Sequence, residues 1–433
     1  MKIDELIRLA EPSEEEHKRV DLIAMTSIEL VRNAAKEFSE VKEVIFGGSY
    51  AKDTWIRNDN DIDIFVKIDK DTDKQRFEYI GKRIGLLALR NHSPYLRYAQ
   101  HPYVEAVIDG VKVNIVPCYD VEKGAWKSAA DRSIYHTLFI NKHLTLEMKR
   151  EVRILKQFMK MIGVYGAEIS INGFSGYVCE VLILKYGSFV NLLENARRFK
   201  DREVISIVEY DKSIIDAFNS RLIILDPVDV RRNLGAAISD TNVAKFILAS
   251  RIFLRDPNLL LRKRLVNRDL NNLIVIMFGY EKRSEDIIWG QVKHTLNAII
   301  KQLESNDFKV IRSACYINTH ITFVLLLDSL LLSKYNVRKG PEVFNEDHLN
   351  RFLASNKDAE MLWIDGVRVY CLRRRIYDNA LTFLNDLLTK NIEKSGISRG
   401  LIDDIKKGFK IYSYNELYNL EIVDDVRSTD ILL

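Results

Sequence analysis

Two short segments near the N-terminus constrain the fold of this chain most strongly: FGGSY at residues 46–50 and DIDIFV at residues 61–66. The apolar residues ahead of the two glycines predict a buried strand, and the glycines predict a sharp turn whose backbone N–H groups can approach a ligand closely. Because residues two apart in a strand share a face, Asp61 and Asp63 are expected to point together while the intervening apolar side chains enter the core. Two carboxylates beside a phosphate-binding turn predict a site for a divalent metal ion that carries a triphosphate.

Each half of this pattern also occurs as an ordinary turn or an exposed strand edge. Asp is disfavoured in strands, however, so two of them on one face between Ile and Phe side chains call for a functional explanation. Residues 50–60 separate Ser49 from Asp61. The Gly-Ser turn followed at this spacing by Asp-x-Asp resembles the signature of the polymerase-β-like nucleotidyltransferase superfamily, and the predicted strand-turn-helix-strand context is the one that this signature needs.

Composition indicates a compact chain of several domains. Its 433 residues are 47% hydrophobic and 29% charged and include only 7 prolines, which argues against long disordered linkers. No apolar run approaches the roughly 18 residues of a membrane span, and the amphipathic, acidic start of the chain does not predict a secretory signal. We therefore expect a cytoplasmic protein with no membrane partner. Its cysteines are expected to be core thiols in a reducing compartment: Cys118, Cys179, Cys315 and Cys371.

The change of pattern along the chain predicts three parts. Residues 1–145 indicate a head of strands and helices, in which two alternating strands flank an Asp109-Gly110 turn typical of a β-hairpin. Residues 146–258 contain apolar-periodic helices, and residues 259–433 form an α+β body and tail whose β-α-β-β order resembles an RNA-recognition sheet. The predicted fold class is an α/β and α+β multidomain protein with a polymerase-β-like nucleotidyltransferase head, a helical second domain, and a C-terminal α+β body and tail.

Members of the superfamily carry a third carboxylate on a strand next to the Asp-x-Asp strand. The natural place for it here is the segment VNIVPCY at residues 113–119, where alternation puts Asn114 on the polar face. Asparagine can offer a carbonyl oxygen to a metal ion, but it has no charge and cannot take a proton from an attacking hydroxyl. Losing a positioned base typically costs about 10²–10⁴-fold in rate.

Further motifs extend along the chain to about residue 250. They are GGSYAKDTW at 47–55, HPYV at 101–104, VNIVPCY at 113–119, DRS at 131–133 with His136, Lys156 with YGAE at 165–168, GFSGY at 173–177, DPVD at 226–229 and RN at 232–233. As a set they resemble the archaeal (class I) CCA-adding tRNA nucleotidyltransferases. The resemblance is dense from about residue 40 to about residue 250 and sparser beyond.

The resemblance implies an enzyme that adds C, C and A to tRNA 3′ ends from CTP and ATP without a nucleic-acid template, at a two-metal Mg²⁺ site. The catalytic and metal-binding residues would be Asp61, Asp63 and Asn114. The nucleotide-binding residues would be Gly48, Ser49, Lys52, Ser133, His136, Lys156, Tyr165, Arg232 and His101, among which Arg232 would read the incoming base. Alternatives stay open for some of them: a solvated helix face for Lys156, and a hydrogen-bonded structural role for His101 and for His136.

Asn114 leaves three hypotheses open. We favour a slowed variant of an active enzyme; in the second, Glu105 on the partner hairpin strand compensates; in the third, the chain binds RNA and nucleotides without turnover. A further alternative keeps the chemistry but changes the substrate, because a poly(A) or oligoadenylate polymerase would leave CTP unused.

The tRNA partner, contacted at its acceptor end and adjoining arm, would be held by local basic clusters, since the formal net charge is only +4. Each cluster has the alternative of a solvated face, and a homodimer stays open. The candidate contacts are Arg197, Arg198 and Lys200 beside Phe199, then Arg262, Lys263, Arg264, Arg312, Lys339, Arg373, Arg374 and Arg375.

Overall fold

The structure of the chain is a computed structural model, which describes residues 3–98, 101–258, 271–414 and 416. These residues belong to two compact units, one up to residue 258 and one from residue 271 onward. The predicted contacts Arg262, Lys263 and Arg264 lie outside the described residues.

Strands and helices alternate in the first half of the first unit, and helices dominate the second half. The strands are β1 (Val41–Gly47), β2 (Asp61–Asp69), β3 (Tyr95–Tyr98), β4 (Pro102–Ile108), β5 (Val111–Asp120), β6 (Glu203–Ile205) and β7 (Leu222–Ile224). The helices are α1 (Ile3–Ala10), α2 (Glu14–Ala35), α3 (Gly48–Lys52), α4 (Lys74–Ala88), α5 (Ala129–His143), α6 (Leu146–Met161), α7 (Gly176–Tyr186), α8 (Phe189–Ala196), α9 (Ser213–Asp216) and α10 (Asp240–Arg255), with 3₁₀ turns at Arg90–His92 and Leu234–Ala237.

Within the described residues, the first five strands form one mixed sheet in the order β1-β2-β5-β4-β3. Strands β2 and β5 run parallel and the other neighbours are antiparallel. The hairpin prediction is confirmed: β4 and β5 flank Asp109 and Gly110, which have φ angles of 48° and 80°. The parallel register sets Asp63 opposite Asn114, as the sequence predicted for a neighbouring strand.

The alternation of β2 divides the sheet into an apolar and a polar face. Ile62, Ile64 and Val66 are fully buried with α2 and α4 in one core, and a Ser13–Glu16 capping box begins α2. The opposite face carries Asp61 and Asp63. We call residues 14–143, which build this sheet and its helices, the sheet part.

Residues 144–253 supply most of a second core, which we call the helical part. Leu6 of α1 also packs in this core, so the first helix of the chain joins the helical part rather than the sheet. Among the described helices, none alone is long and apolar enough to cross a membrane. The bent pair α7 and α8 passes that test by length and composition only, and its apolar side chains lie in this core.

The second unit contains two antiparallel sheets. Its strands are β8 (Leu273–Phe278), β9 (Val310–Ile317), β10 (Ile321–Leu327), β11 (Tyr335–Glu342), β12 (Met361–Asp365), β13 (Arg368–Arg374) and β14 (Phe409–Ser413). Its helices are α11 (Glu285–Ser305), α12 (Glu346–Ser355), α13 (Ala380–Thr389) and α14 (Arg399–Lys406), with a 3₁₀ turn at Ile392–Lys394.

The larger sheet has the order β14-β8-β10-β9 in the described chain, and α11, α13 and α14 pack on one face. The smaller sheet has the order β11-β13-β12. The predicted β8-α11-β9-β10 order is confirmed, whereas β11 and β14 were not predicted. The likeness of this module to an RNA-recognition sheet stays a prediction.

The prediction of core positions for the cysteines is confirmed for three of the four residues. Cys118, Cys179 and Cys371 are buried, whereas Cys315 is only partly buried, because β9 is an edge strand of its sheet.

A buried ionic contact joins the sheet part to the helical part. Glu180 of α7 is fully buried and accepts hydrogen bonds from Lys52 Nζ at 2.6 Å and from Thr54 Oγ1 at 2.6 Å. Lys156 Nζ lies 3.7 Å from the same carboxylate and donates to the Thr54 carbonyl oxygen at 2.7 Å. Burial alone would raise the pKa of Glu180, but the two ammonium groups and the hydrogen bonds hold it below its ordinary value.

Replacing Glu180 by Ala is expected to destabilise the protein by about 3–5 kcal/mol, because Lys52 and Lys156 would stay buried without their carboxylate. The measurement is denaturant-induced unfolding of the full chain. Glu194→Ala is the matched control: Glu194 contacts Arg197 at 2.8 Å with both side chains partly exposed, and its loss should cost at most about 1 kcal/mol. A Glu180→Ala chain as stable as this control would contradict the assignment.

Candidate active site

The glycine turn fits against two side chains of β2. Gly48 has a φ of +62°, and a Cβ built on it would lie 1.9 Å from Asp63 Oδ2. A Cβ on Gly47 would lie 2.2 Å from Cε2 of Phe65. Only glycine therefore fits at either position. The first residue of α3 is thereby brought against the Asp63 carboxylate, and Ser49 directly follows it.

The two aspartates form a cluster of negative charge on the polar face. Burial raises the pKa of Asp61 to about 6; Lys112, 4.0 Å away, opposes this effect, and Asp63 adds to it. Burial also raises the pKa of Asp63, although a hydrogen bond from Asn114 counteracts it. Carboxylates whose charged forms are disfavoured in this way provide the hard oxygen donors that a divalent cation prefers.

Asn114 on β5 lies between Asp63 on β2 and Glu105 on β4, so the three residues form a row across neighbouring strands. The Nδ2 of Asn114 donates to Asp63 Oδ1 at 2.9 Å, and its Oδ1 is buried without a hydrogen-bond partner in the described part of the chain. Glu105 is opposite Asn114 on β4 and is 4% exposed. Its carboxylate accepts a hydrogen bond from the Tyr95 hydroxyl and lies 3.5 Å from Arg97 Nε, so it is engaged toward β3.

The donor set accordingly consists of two carboxylates and one amide. Across residues 3–98, 101–258 and 271–414, no group of three or more His, Cys, Asp or Glu side chains that could hold a metal ion is found. The unpartnered Asn114 Oδ1 beside the aspartates is an oxygen that a cation could satisfy. The residues present thus fit a divalent ion, with less negative charge than three carboxylates would supply.

A cavity of about 380 Å³ lies on the same face of the sheet. Phe65 lines it and is two residues beyond Asp63, so strand geometry puts the cavity about 7 Å along the strand from the carboxylate cluster. The volume is within the range of small-molecule sites. Four predicted nucleotide-binding residues line it, namely His101, Ser133, His136 and Arg232, together with side chains that include Tyr103, Val116, Ser175 and Tyr177.

One buried carboxylate organises the polar side of the cavity. Asp226 is 0% exposed and lies 2.9 Å from His136 Nε2, while Tyr177 donates its hydroxyl hydrogen to Asp226 at 3.1 Å. Arg232 Nη1 is 3.3 Å from the same carboxylate. The His136 ring stacks on Tyr177 with centroids 3.9 Å apart. Burial lowers the pKa of His136 although Asp226 opposes the shift, so the neutral imidazole is favoured.

The first turn of α5 is held by a second buried carboxylate. Asp131 accepts hydrogen bonds from the backbone N–H groups of Tyr119, Lys127 and Ser128, at 2.7–2.8 Å. These contacts fix the helix start, and therefore Ser133 and His136, relative to the end of β5.

Other predicted nucleotide ligands are buried or partly buried. Lys52 and Lys156 are 6% and 1% exposed and both contact Glu180, so the alternative of a solvated helix face for Lys156 is wrong. Burial raises the pKa of Tyr165, and the ammonium of Lys160 lies over its ring. Their assignment to a triphosphate stays a prediction, and for the two lysines it requires the contacts with Glu180 to open. His101 contacts Glu78 at 3.3 Å at the cavity edge.

Sequence reasoning assigned no role to Asp226, Tyr177 or Glu180. Two of them carried a signal, namely a charge in an otherwise buried segment. Glu180 interrupts the apolar helix VCEVLIL, and Asp226 directly follows the buried residues Leu222–Leu225.

The described basic clusters divide into exposed and engaged side chains. Arg198, Lys200, Lys339 and Arg374 are exposed, while Arg197 pairs with Glu194. Arg312 is exposed and also contacts another group of the protein. Arg373 Nη1 donates to Asn356 Oδ1 at 3.4 Å, and Arg375 pairs with Asp307. Contacts with tRNA stay a prediction for all of them.

The fold and the site define a nucleotidyltransferase: a nucleotidyltransferase domain model matches residues 28–137, over the glycine turn, the aspartate pair and Asn114. A model of the second domain of tRNA nucleotidyltransferases matches residues 150–261, and one of the C-terminal domain of CCA-adding enzymes matches residues 271–414.

Similar proteins span almost the whole chain. A CCA-adding enzyme of Methanocaldococcus jannaschii is 33% identical over 92% of this chain and 92% of its own length. A CCA-adding enzyme of Saccharolobus shibatae is 35% identical over 87% of this chain and 89% of its own length. One of Pyrobaculum islandicum is 33% identical over 89% of this chain and 93% of its own length. The chain belongs to the CCA-adding enzyme family. Likeness to solved structures is distant: a cytoplasmic RNA terminal U-transferase covers 59% of this chain and 92% of its own at 14% identity, with a TM-score of 0.46.

Proposed function

We propose that this protein adds CCA to the 3′ end of tRNA from CTP and ATP without a nucleic-acid template. One observation carries the proposal: the aspartate pair packed on the Gly48 turn shares a sheet face with a nucleotide-sized cavity, in a chain of the CCA-adding family. The tRNA 3′-hydroxyl oxygen would bond to the α-phosphorus of the nucleotide, and the bond from that phosphorus to the bridging oxygen would break. Pyrophosphate leaves, and the proton of the attacking hydroxyl passes to solvent.

Asp61 and Asp63 would hold Mg²⁺, with the Asn114 carbonyl oxygen as a further donor. When bound in a two-metal arrangement, the ions would polarise the phosphate and stabilise the entering and leaving oxygens. The raised pKa values of Asp61 and Asp63 support this placement, and so does the Asn114 Oδ1, which has no hydrogen-bond partner among the described residues.

Arg232 would select the base in the cavity. A guanidinium offers only N–H donors, and its side chain is 42% exposed, so donors stay available beside the contact with Asp226. Cytosine N3 and adenine N1 accept a hydrogen bond, whereas uracil N3 and guanine N1 carry a hydrogen and cannot. A guanidinium donor aimed at that ring nitrogen therefore favours C and A over U and G.

The decisive experiment supplies tRNA lacking its terminal trinucleotide with labelled CTP, ATP or UTP in Mg²⁺. Incorporation of C, C and then A, with UTP left unused, is the expected result. Incorporation of ATP alone would point to a poly(A)-type polymerase. Absence of pyrophosphate release with any nucleotide would leave the third hypothesis, a binding protein without turnover.

Asn114→Asp is expected to raise the rate of nucleotide addition by about 10²-fold or more, because a carboxylate adds charge at the metal site and can accept the proton of the attacking hydroxyl. The measurement is single-turnover CTP incorporation, with Glu105→Gln as the companion variant. Equal rates for Asn114→Asp and the unaltered chain would discard the slowed-variant hypothesis. A large loss in Glu105→Gln would instead support compensation by Glu105.

Mg²⁺ is expected to raise the melting temperature more near pH 7.5 than near pH 5, because protons compete for Asp61, whose pKa is about 6. The native chain binds this proton more tightly than the unfolded chain does, so without metal the contribution of Asp61 to stability falls as the pH rises from 3.8 to about 6. Bound metal should offset this loss of stability above about pH 6 and change the stability little between pH 3.8 and about 6. The measurement is thermal unfolding with and without MgCl₂.

Asp61→Asn is the control for this pH dependence, since it removes the titrating group and should make the response to Mg²⁺ small at both pH values. Equal shifts of the unaltered chain near pH 5 and pH 7.5 would contradict the placement of the metal.

A further inference from the structure

The two oxygens of Asp226 have different partners. Oδ1 accepts hydrogen bonds from the Tyr177 hydroxyl at 3.1 Å and from the backbone N–H of Val228 at 2.9 Å. Oδ2 lies 2.9 Å from His136 Nε2 and 3.3 Å from Arg232 Nη1. The carboxylate is therefore oriented through one oxygen and presents the other to two side chains that line the cavity.

Asp226 is shielded from solvent and stays charged. Asp226 is fully buried and its charge is retained: burial would raise its pKa, but the His136 hydrogen bond, with help from Val228 and Arg232, holds the pKa below the ordinary value. Tyr177 in turn is fixed by its stacking on His136. A buried, hydrogen-bonded anion is the kind of partner that can hold one orientation of an otherwise flexible arginine.

The Arg232 side chain depends on this anchor because much of it is open to solvent. Its side chain is 42% exposed and its neighbour Arg231 is also exposed. A long side chain loses rotamer freedom when it binds a ligand, and a partner that orders it beforehand reduces that cost.

We propose that Asp226 is a positioning residue that sets nucleotide specificity by fixing the guanidinium of Arg232 in the cavity. This inference rests on the proposed role of Arg232 in base selection. Asp226 itself touches neither the base nor the phosphates in this assignment; it acts through Arg232, while Tyr177 orients it.

The test is a double-mutant cycle of Asp226→Asn and Arg232→Ala in the full chain, with calorimetric CTP and UTP binding and steady-state incorporation as readouts. Asp226→Asn should weaken CTP binding and raise KM about tenfold with kcat changed less than about threefold, because orientation and not chemistry is lost. The preference for CTP over UTP should fall by a similar factor. In the Arg232→Ala background, the same substitution should change CTP binding by less than about twofold.

Asp229→Asn is the matched control, since Asp229 lies in the same DPVD segment and its carboxylate is 3.8 Å from Arg132. It should leave CTP affinity and selectivity unchanged. If Asp226→Asn weakens CTP binding equally with and without Arg232, the carboxylate acts independently and the inference is overturned.

Tyr177→Phe keeps the test decisive if Asp226→Asn does not fold. It removes one hydrogen bond to Oδ1 and should shift CTP affinity in the same direction by about threefold; unchanged affinity would overturn the inference. The proposed function fails separately, when the unaltered chain adds neither C nor A to tRNA. In that case the calorimetric cycle still reports whether Asp226 positions Arg232.

Discussion

The contact of Glu180 with Lys52 and Lys156 is the interaction on which the geometry of the site depends. The two lysines come from different parts of the chain, one from the end of α3 and one from α6, and both meet a carboxylate on α7. A buried charge is costly unless it is paired, so the two parts are strongly coupled wherever this triad forms. Arg153 adds a second connection, since its Nε donates to the Trp55 carbonyl oxygen at 3.1 Å. The cavity takes side chains from both parts, so its shape depends on how these contacts hold the two parts together.

The local chemistry of the site follows from how β2 meets the glycine turn. Gly47 and Gly48 leave room for Phe65 and Asp63, two side chains of the same strand face. One of these side chains lines the cavity and the other belongs to the carboxylate cluster. The spacing between the carboxylate cluster and the cavity is thereby set within one strand. The parallel register of β5 places Asn114 beside Asp63. Compared with an aspartate at this position, the asparagine has nearly the same shape but no negative charge.

Features with a short repeat or a close sequence neighbour were predictable. The aspartate pair, the Asp109-Gly110 hairpin and the polar position of Asn114 all follow from strand alternation and turn chemistry. The interior positions of Lys52 and Lys156 could not be predicted in this way. Their partner Glu180 is far away in sequence, and no local pattern indicates that a lysine will be buried. Asp226 was missed for the same reason: its partners His136 and Tyr177 lie far away in sequence, on α5 and α7. The strand β11 was missed because Gly340 and Pro341 interrupt it, and β14 because it pairs with β8 across most of the second unit.

Strand geometry also limits what a basic run can do. Arg373 and Arg374 are consecutive in β13, so they lie on opposite faces; the first is engaged with Asn356 and the second is exposed. A polyanion lying on one face of that sheet meets one of these charges and not both. The number of counterions that binding releases is then smaller than the number of arginines in the segment. For a duplex, each arginine that does not contact a phosphate makes the plot of log affinity against log salt less steep by about 0.9. Charge counted along a strand therefore overstates its electrostatic footprint about twofold.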